Sequence, residues 1–200
     1  MKKLLLSILA GVLLASCGGG YIDLNDPDSY EEMKELAIDS FGEDLEVYGF
    51  SLGSKDHLSS EMRYISVDYI KDGVDYERSY DLINGEGNEL EEPEMASKSF
   101  QTEFFMRNKQ GKLKVKDIDF ELINTKYEEA ISFLAEQYTD FVLYSWEYEV
   151  ANDGTITAEF MVEATLIGES TTMSGRNVIT NYYQFSFKMN ENQELELKED

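Results

Sequence analysis

The sequence predicts an α+β protein made of two similar units, each a helix followed by four antiparallel strands. Three observations carry this. Two stretches, residues 28–41 and 125–138, place apolar side chains at helical spacing. Each is followed by alternating apolar and polar runs separated by turn signals such as Lys71-Asp72-Gly73. The second half also matches the first in the same order. Tyr30-Glu31-Glu32 falls on Tyr127-Glu128-Glu129, and Met33, Leu36, Ala37 and Phe41 fall on Ala130, Phe133, Leu134 and Tyr138. One residue out of step, residues 44–48 fall on residues 140–144, and Phe50 falls on Trp146. With one gap, residues 106–115 resemble residues 189–197.

The elements follow in order. Asp28 is expected to cap the first helix, with Glu31 closing a capping box. Tyr30, Met33, Leu36, Ala37 and Phe41 form its apolar stripe, and Gly42 stops it. Residues 45–52, 61–70 and 74–83 read as strands, residues 85–97 as an acidic loop. Residues 99–107 and 112–122 read as a hairpin around Asn108-Lys109-Gln110-Gly111. Thr125 is expected to cap the second helix, and strands are expected near residue 140, over 154–167, over 178–189 and over 193–198. The expected organisation is a leader at 1–16, a tether at 17–25 and units at 26–123 and 124–200, the first holding an extra strand and the acidic loop. The rival organisation is one larger α+β domain with a continuous sheet. A helix on an antiparallel sheet is a stable two-layer solution. The element order resembles the helix-on-sheet units of cystatin-like and PepSY-like domains and, in tandem, the periplasmic β-lactamase inhibitor proteins.

The leader is the most specific signal. Lys2 and Lys3 precede an apolar run over residues 4–14, which is shorter than the roughly 20 residues of a transmembrane helix. Leu14-Ala15-Ser16-Cys17 follows. This tetrapeptide resembles the lipobox of bacterial lipoproteins: Leu14, then small Ala15 and Ser16, then the acceptor cysteine. The resemblance implies a diacylglycerol on the Cys17 thiol, cleavage just before Cys17 and a further acyl chain, such as palmitate, on the new amino terminus. Two or three acyl chains make a stable anchor where one is marginal. Gly18 in place of Asp implies an outer-membrane destination, on the periplasmic or the surface face. Cys17 is the sole cysteine, so its lipidation leaves no thiol for a disulfide.

Composition bounds the chemistry. Removing residues 1–16 takes away Lys2 and Lys3 and no acid, which leaves 15 basic and 41 acidic residues and a net charge of −26. This excludes nucleic acid as a partner, because phosphate neutralisation needs clustered Lys and Arg. It also opposes lying flat on an anionic membrane. His57 is the one histidine, in the loop segment Ser54-Lys55-Asp56-His57-Leu58-Ser59, and reads as solvated. The chain has no nucleophile elbow, phosphate-cradling Gly loop or His-Glu-x-x-His. Residues 23–28 begin like a calcium loop, but Pro27 occupies a ligand position and Asp28 the place of the required Gly. Neither cofactor nor metal is expected.

Two surface patterns remain. Lys112, Lys114 and Lys116 are expected to share one strand face, opposite in sign to Glu194 and Glu196 of the matching hairpin. Either these faces meet, or the lysines neutralise nearby acids and discourage edge pairing. Tyr144, Trp146 and Tyr148 lie together on a strand and read either as core or as an interaction surface. The expected function is that of a lipid-anchored envelope protein, held to the membrane by its N-terminal lipid, acting as a non-catalytic module that binds an envelope protein or peptide. A carboxylate-based hydrolase of envelope glycans and a structural subunit of an envelope complex are the alternatives.

Overall fold

Residues 21–83, 87–95, 113–169, 171–174 and 177–198 are described by the computed structural model of the chain. Over these residues it is a mixed α/β protein with two helices, α1 (Ser29–Phe41) and α2 (Phe120–Phe133), on one side of a nine-stranded antiparallel sheet. The strands before α2 are β1 (Glu46–Val47), β2 (Gly49–Ser54), β3 (Met62–Lys71), β4 (Val74–Ile83), β5 (Gly87–Leu90), β6 (Glu94–Met95) and β7 (Leu113–Lys114). After α2 come β8 (Tyr138–Val150), β9 (Ile156–Leu166), β10 (Thr172–Ser174), β11 (Asn177–Ile179), β12 (Tyr183–Met189) and β13 (Leu195–Leu197). The large sheet runs β13-β12-β9-β8-β2-β3-β4-β5, with β6 also pairing with β4. β1 pairs with β7 and β10 with β11 in two small side ladders. No helix among the described residues is long and apolar enough to cross a membrane.

Each half contributes a meander, and the two meet at their first strands. β2 and β8 pair antiparallel with Phe50 opposite Tyr148 and Leu52 opposite Trp146. The offset that carries Phe50 onto Trp146 also carries Leu52 onto Tyr148. These are therefore one pair seen twice, and Ser51 opposite Glu147 marks a local two-fold axis. Both halves share one core, in which Tyr30, Met33, Ala37 and Phe41 of α1 and Phe120, Ile123, Tyr127 and Ala130 of α2 pack on Phe50, Leu52, Ile65, Trp146, Phe160 and Phe187. Tyr30 and Tyr127, matched in sequence, have matching roles: their hydroxyls donate to the carbonyls of Leu24 at 2.9 Å and Phe141 at 2.8 Å. Burial raises both phenols well above the usual tyrosine range.

Several expected boundaries move. Asp28 stands at the start of α1 but its side chain makes no capping bond. The preceding turns are instead tied by Asp23 Oδ1, which accepts from Asn25 N, and Asp26 Oδ1, which accepts from Asp28 N. Gly42, at φ 92°, ends the helix as expected. The expected strand over 112–122 is overturned. Among the described residues of that span only Leu113 and Lys114 pair as a strand, Val115–Asp117 form a 3-10 turn, and α2 begins at Phe120 with Asp119 Oδ1 capping Leu122 N. Val115, Ile118 and Phe120 are buried from this turn and the helix start rather than from a strand face. Thr125 therefore sits inside α2 and donates to Glu121 O, and the expected boundary at 123/124 cuts that helix. The expected tether also ends sooner. Leu24 is fully buried, Leu24 N donates to Ser60 O, and Met62 N donates to Ile22 O. Residues 17–20, and most of the expected hairpin over 99–122, lie outside the described residues.

Asn25 completes the sheet. β2 stops pairing with β8 at Gly53 opposite Ser145. Beyond that point the Asn25 side chain replaces a strand: Nδ2 donates to Phe141 O at 2.9 Å and Oδ1 accepts from Leu143 N at 3.1 Å. Asn25→Ala is expected to cost about 1–3 kcal/mol, read as a lower urea midpoint with an unchanged denaturant slope.

Candidate functional site

Strand alternation divides the large sheet into a packed face and an open one. Phe50, Leu52, Ile65, Val67, Trp146, Tyr148, Phe160 and Val162 point to the helices and are buried. The intervening residues, Ser51, Tyr64, Glu147, Glu159 and Met161 among them, lie on the other face, which no helix covers among the described residues. A trough of about 480 Å³ occupies its centre, lined by those residues together with Asp68, Glu77, Ser145, Ser186 and Lys198. Two glycines set its floor. A Cβ on Gly53 would come within 2.5 Å of the Tyr64 ring, and one on Gly49 within 2.5 Å of the Asp68 carboxylate. Tyr64 and Asp68 therefore lie low across β2, as only a side chain of hydrogen permits.

One end of this face carries a built polar cluster. Glu163 is fully buried, which is costly for a carboxylate unless its oxygens are bonded. Oε1 receives His57 Nδ1 at 2.6 Å and Gln184 Nε2 at 2.9 Å, and Oε2 accepts from Leu58 N at 2.6 Å. Leu58 takes a left-handed φ of 54° to present that N–H, a conformation rare outside glycine. The His57 ring stacks between Tyr182 at 4.3 Å and Tyr144 at 5.1 Å. Tyr144 reaches it from a bulge: the β8–β9 register shifts between Leu143 and Ser145, so Tyr144 is the extra residue, and bulges re-aim side chains. With its hydrogen on Nδ1 the ring donates to Glu163 and leaves Nε2 for other contacts. The His57 side chain is 47% exposed.

His57 was expected to be a solvated loop residue; it is held by a buried acid instead. Sequence reasoning missed this because the partner lies more than a hundred residues away. Glu163 had the only visible signal, an acid in the apolar stretch Met161-Val162-Glu163-Ala164.

The other candidates scatter. Lys114 Nζ and Lys116 Nζ both bind Asp44 Oδ1, at 2.9 and 2.8 Å, so these two lysines serve a nearby acid rather than Glu194 or Glu196. Lys116 is in the 3-10 turn and does not continue a strand face; Lys112 lies outside the described residues. Of the aromatic trio, only Tyr144 reaches the open face. Trp146, 1% exposed, stacks on Phe160 at 4.8 Å, and Tyr148 packs on Phe50 at 5.4 Å, so both belong to the core. Leu14, Ala15, Ser16 and Cys17 lie outside the described residues. Among the described residues no three His, Cys, Asp or Glu side chains are grouped to hold a metal ion.

No family model matches the chain, and no curated protein or solved structure matches it either. The open face offers a shallow trough with exposed carboxylates, and the corner offers an oriented imidazole flanked by two phenol rings.

His57→Ala removes a charge-assisted bond from a buried carboxylate and is expected to cost about 2 kcal/mol. Combined with Glu163→Met it is expected to cost less than the sum of the two single losses, measured by urea denaturation in a double-mutant cycle. Near the lysines, hydrogen bonds from Lys116 and Lys114 hold the Asp44 carboxyl down at about 2. A carboxyl lowered by folding stabilises above its unfolded value and loses that effect as pH falls toward its folded one. The wild type is thus expected to unfold at a higher temperature than Asp44→Asn at neutral pH, the gap closing between about pH 4 and pH 2.

Proposed function

We propose that this chain is a lipid-anchored protein of the bacterial envelope, and that the uncovered sheet face is its non-catalytic binding surface for another envelope protein or a peptide. The observation that carries the reading is the asymmetry of the sheet: one face holds the whole core, while the other holds a trough ending in an ordered aromatic and histidine corner. Tyrosine is enriched where interfaces bind most strongly, and Tyr64, Tyr144 and Tyr182 stand at this end. The lipobox supports the address. Asp23 bridges Glu61, so the chain joins the domain beside the loop that bears His57. From Cys17 to Tyr21 the backbone spans at most about 14 Å. An anchored domain thus presents this end close to the membrane, where an envelope partner is met. The helix-plus-meander halves further support a likeness to tandem cystatin-like and PepSY-like units.

A second reading, an enzyme acting on envelope glycans, rests on the His57–Glu163 pair. A carboxylate that fixes an imidazole tautomer is the arrangement used in general acid–base catalysis. It predicts glycan hydrolysis that His57→Ala abolishes, whereas a binding surface predicts none in the wild type.

The binding reading is tested with photo-crosslinkers in intact envelopes, at Met161 on the open face and at Glu32 on the exposed side of α1. The expected result is a stoichiometric product from Met161 alone, lost with Cys17→Ser. A product from Glu32 alone would move the surface to the helices.

A further inference from the structure

The loop between β2 and β3 reaches from the first half of the chain onto the second. Its base is closed by Lys55 N, which donates to Glu61 O at 2.8 Å, and by Leu24 N, which donates to Ser60 O at 2.7 Å. Its tip, residues 56–58, rests in a slot built by the second half. Tyr144 on β8 and Tyr182, just before β12, wall that slot with rings within 20° of the His57 plane. Glu163 on β9, fully buried, forms its floor. One bond to that carboxylate comes from the second half itself, from Gln184 Nε2 on β12. The other two come from the loop: His57 Nδ1 reaches Oε1, and Leu58 N reaches Oε2. The loop makes them only with a left-handed backbone at Leu58, which is strained outside glycine.

We propose that this slot is a binding site for an arginine side chain of a protein partner, and that His57 is a resident plug which the arginine displaces. This deepens the binding-surface reading and rests on it. The slot suits an occupant with three properties: a flat group, aromatic contact on both faces, and two N–H donors aimed at the two oxygens of one carboxylate. The loop needs two residues to supply them, the ring of His57 and the backbone of Leu58. One guanidinium supplies them alone, because it is planar, stacks on aromatic faces and forks onto a carboxylate with two parallel bonds. Its charge is further attracted to the faces of the two phenol rings. A lysine ammonium is a compact point charge, with no plane to lie between the rings and no fork to match both oxygens. A buried carboxylate must keep its bonds, and this exchange keeps them: the guanidinium replaces both donors of the loop while Gln184 retains its own. The bonds of Leu24 and Lys55 hold the base of the loop while the tip lifts, and Leu58 is released from its strained backbone.

The test uses the full-length anchored protein in nanodiscs of uncharged lipid and two probes: the peptide Gly-Ser-Arg-Ser-Gly, blocked at both ends, and its Lys counterpart. His57 is the one histidine, so imidazole signals in NMR report on it alone. In the wild type the Arg peptide is expected to move those signals to the positions of a solvated ring, and the Lys peptide to leave them in place. Removing the plug is expected to strengthen binding. By calorimetry His57→Ala binds the Arg peptide about tenfold tighter than the wild type, since no fraction of the variant is held closed. Adding Glu163→Gln to His57→Ala is expected to abolish that binding. Near-ultraviolet circular dichroism checks that each variant is folded, and the wild-type NMR arm needs no variant. An unmoved His57 signal, equal binding of the Lys peptide, or an Arg peptide bound no tighter by His57→Ala would each overturn the proposal. Any of these with a product still formed at Met161 leaves the binding-surface reading intact. No product at Met161 overturns that reading, and the protein partner proposed for the slot with it.

Discussion

The pairing of β2 with β8 is the constraint on which the rest of the molecule depends. Among the described residues it is the one ladder that joins the two meanders, and its register decides which side chains of both halves share a face. Because Phe50 meets Tyr148 and Leu52 meets Trp146, the large apolar groups of both first strands stack under the helices. A one-residue slip would turn Trp146 to water and Glu147 to the core. The local two-fold follows from the same register: two similar strands paired antiparallel about Ser51 and Glu147 superimpose on each other by rotation. Asn25 then extends the junction past the end of β2, coupling the incoming chain to β8 where strand pairing fails.

Packing on one face leaves the other to electrostatics. An antiparallel sheet can leave one face to water, so an open polar face alone says little. What marks this one is its departure from local stability. Its floor is kept low by Gly49 and Gly53, a carboxylate is buried at Glu163, and Leu58 adopts a left-handed backbone to bond it. Departures of this kind tend to gather where a protein does its work.

Much of the fold was legible in the chain. The helical stripe of α1, the turn at Lys71-Asp72-Gly73, the strands β3, β4 and β9 and the final hairpin all follow from periods of 3.6 and 2 residues and from turn chemistry. The matched Tyr30 and Tyr127 exposed the repeat, and they do share a role. The failures have a common cause. Leu113 and Val115 share one strand parity, as an extended reading of residues 112–122 requires, yet Val115 N donates to Leu45 O and Lys116 N to Glu43 O, and these contacts after the end of α1 turn the chain instead. The bulge that lifts Tyr144 out of register leaves no trace in composition, because it exists only relative to β9.

The sequence by itself determined what depends on near neighbours: the α+β class, the repeated element order and the acidity. Tertiary structure alone decided whether the halves would stand apart or merge, and it merged their sheets, because two first strands with apolar residues on one parity bury both stripes by pairing. It also decided which aromatics are core, and that the lone histidine is held by Glu163. Those are relations between residues far apart in the chain, and the pattern of a single sequence records none of them.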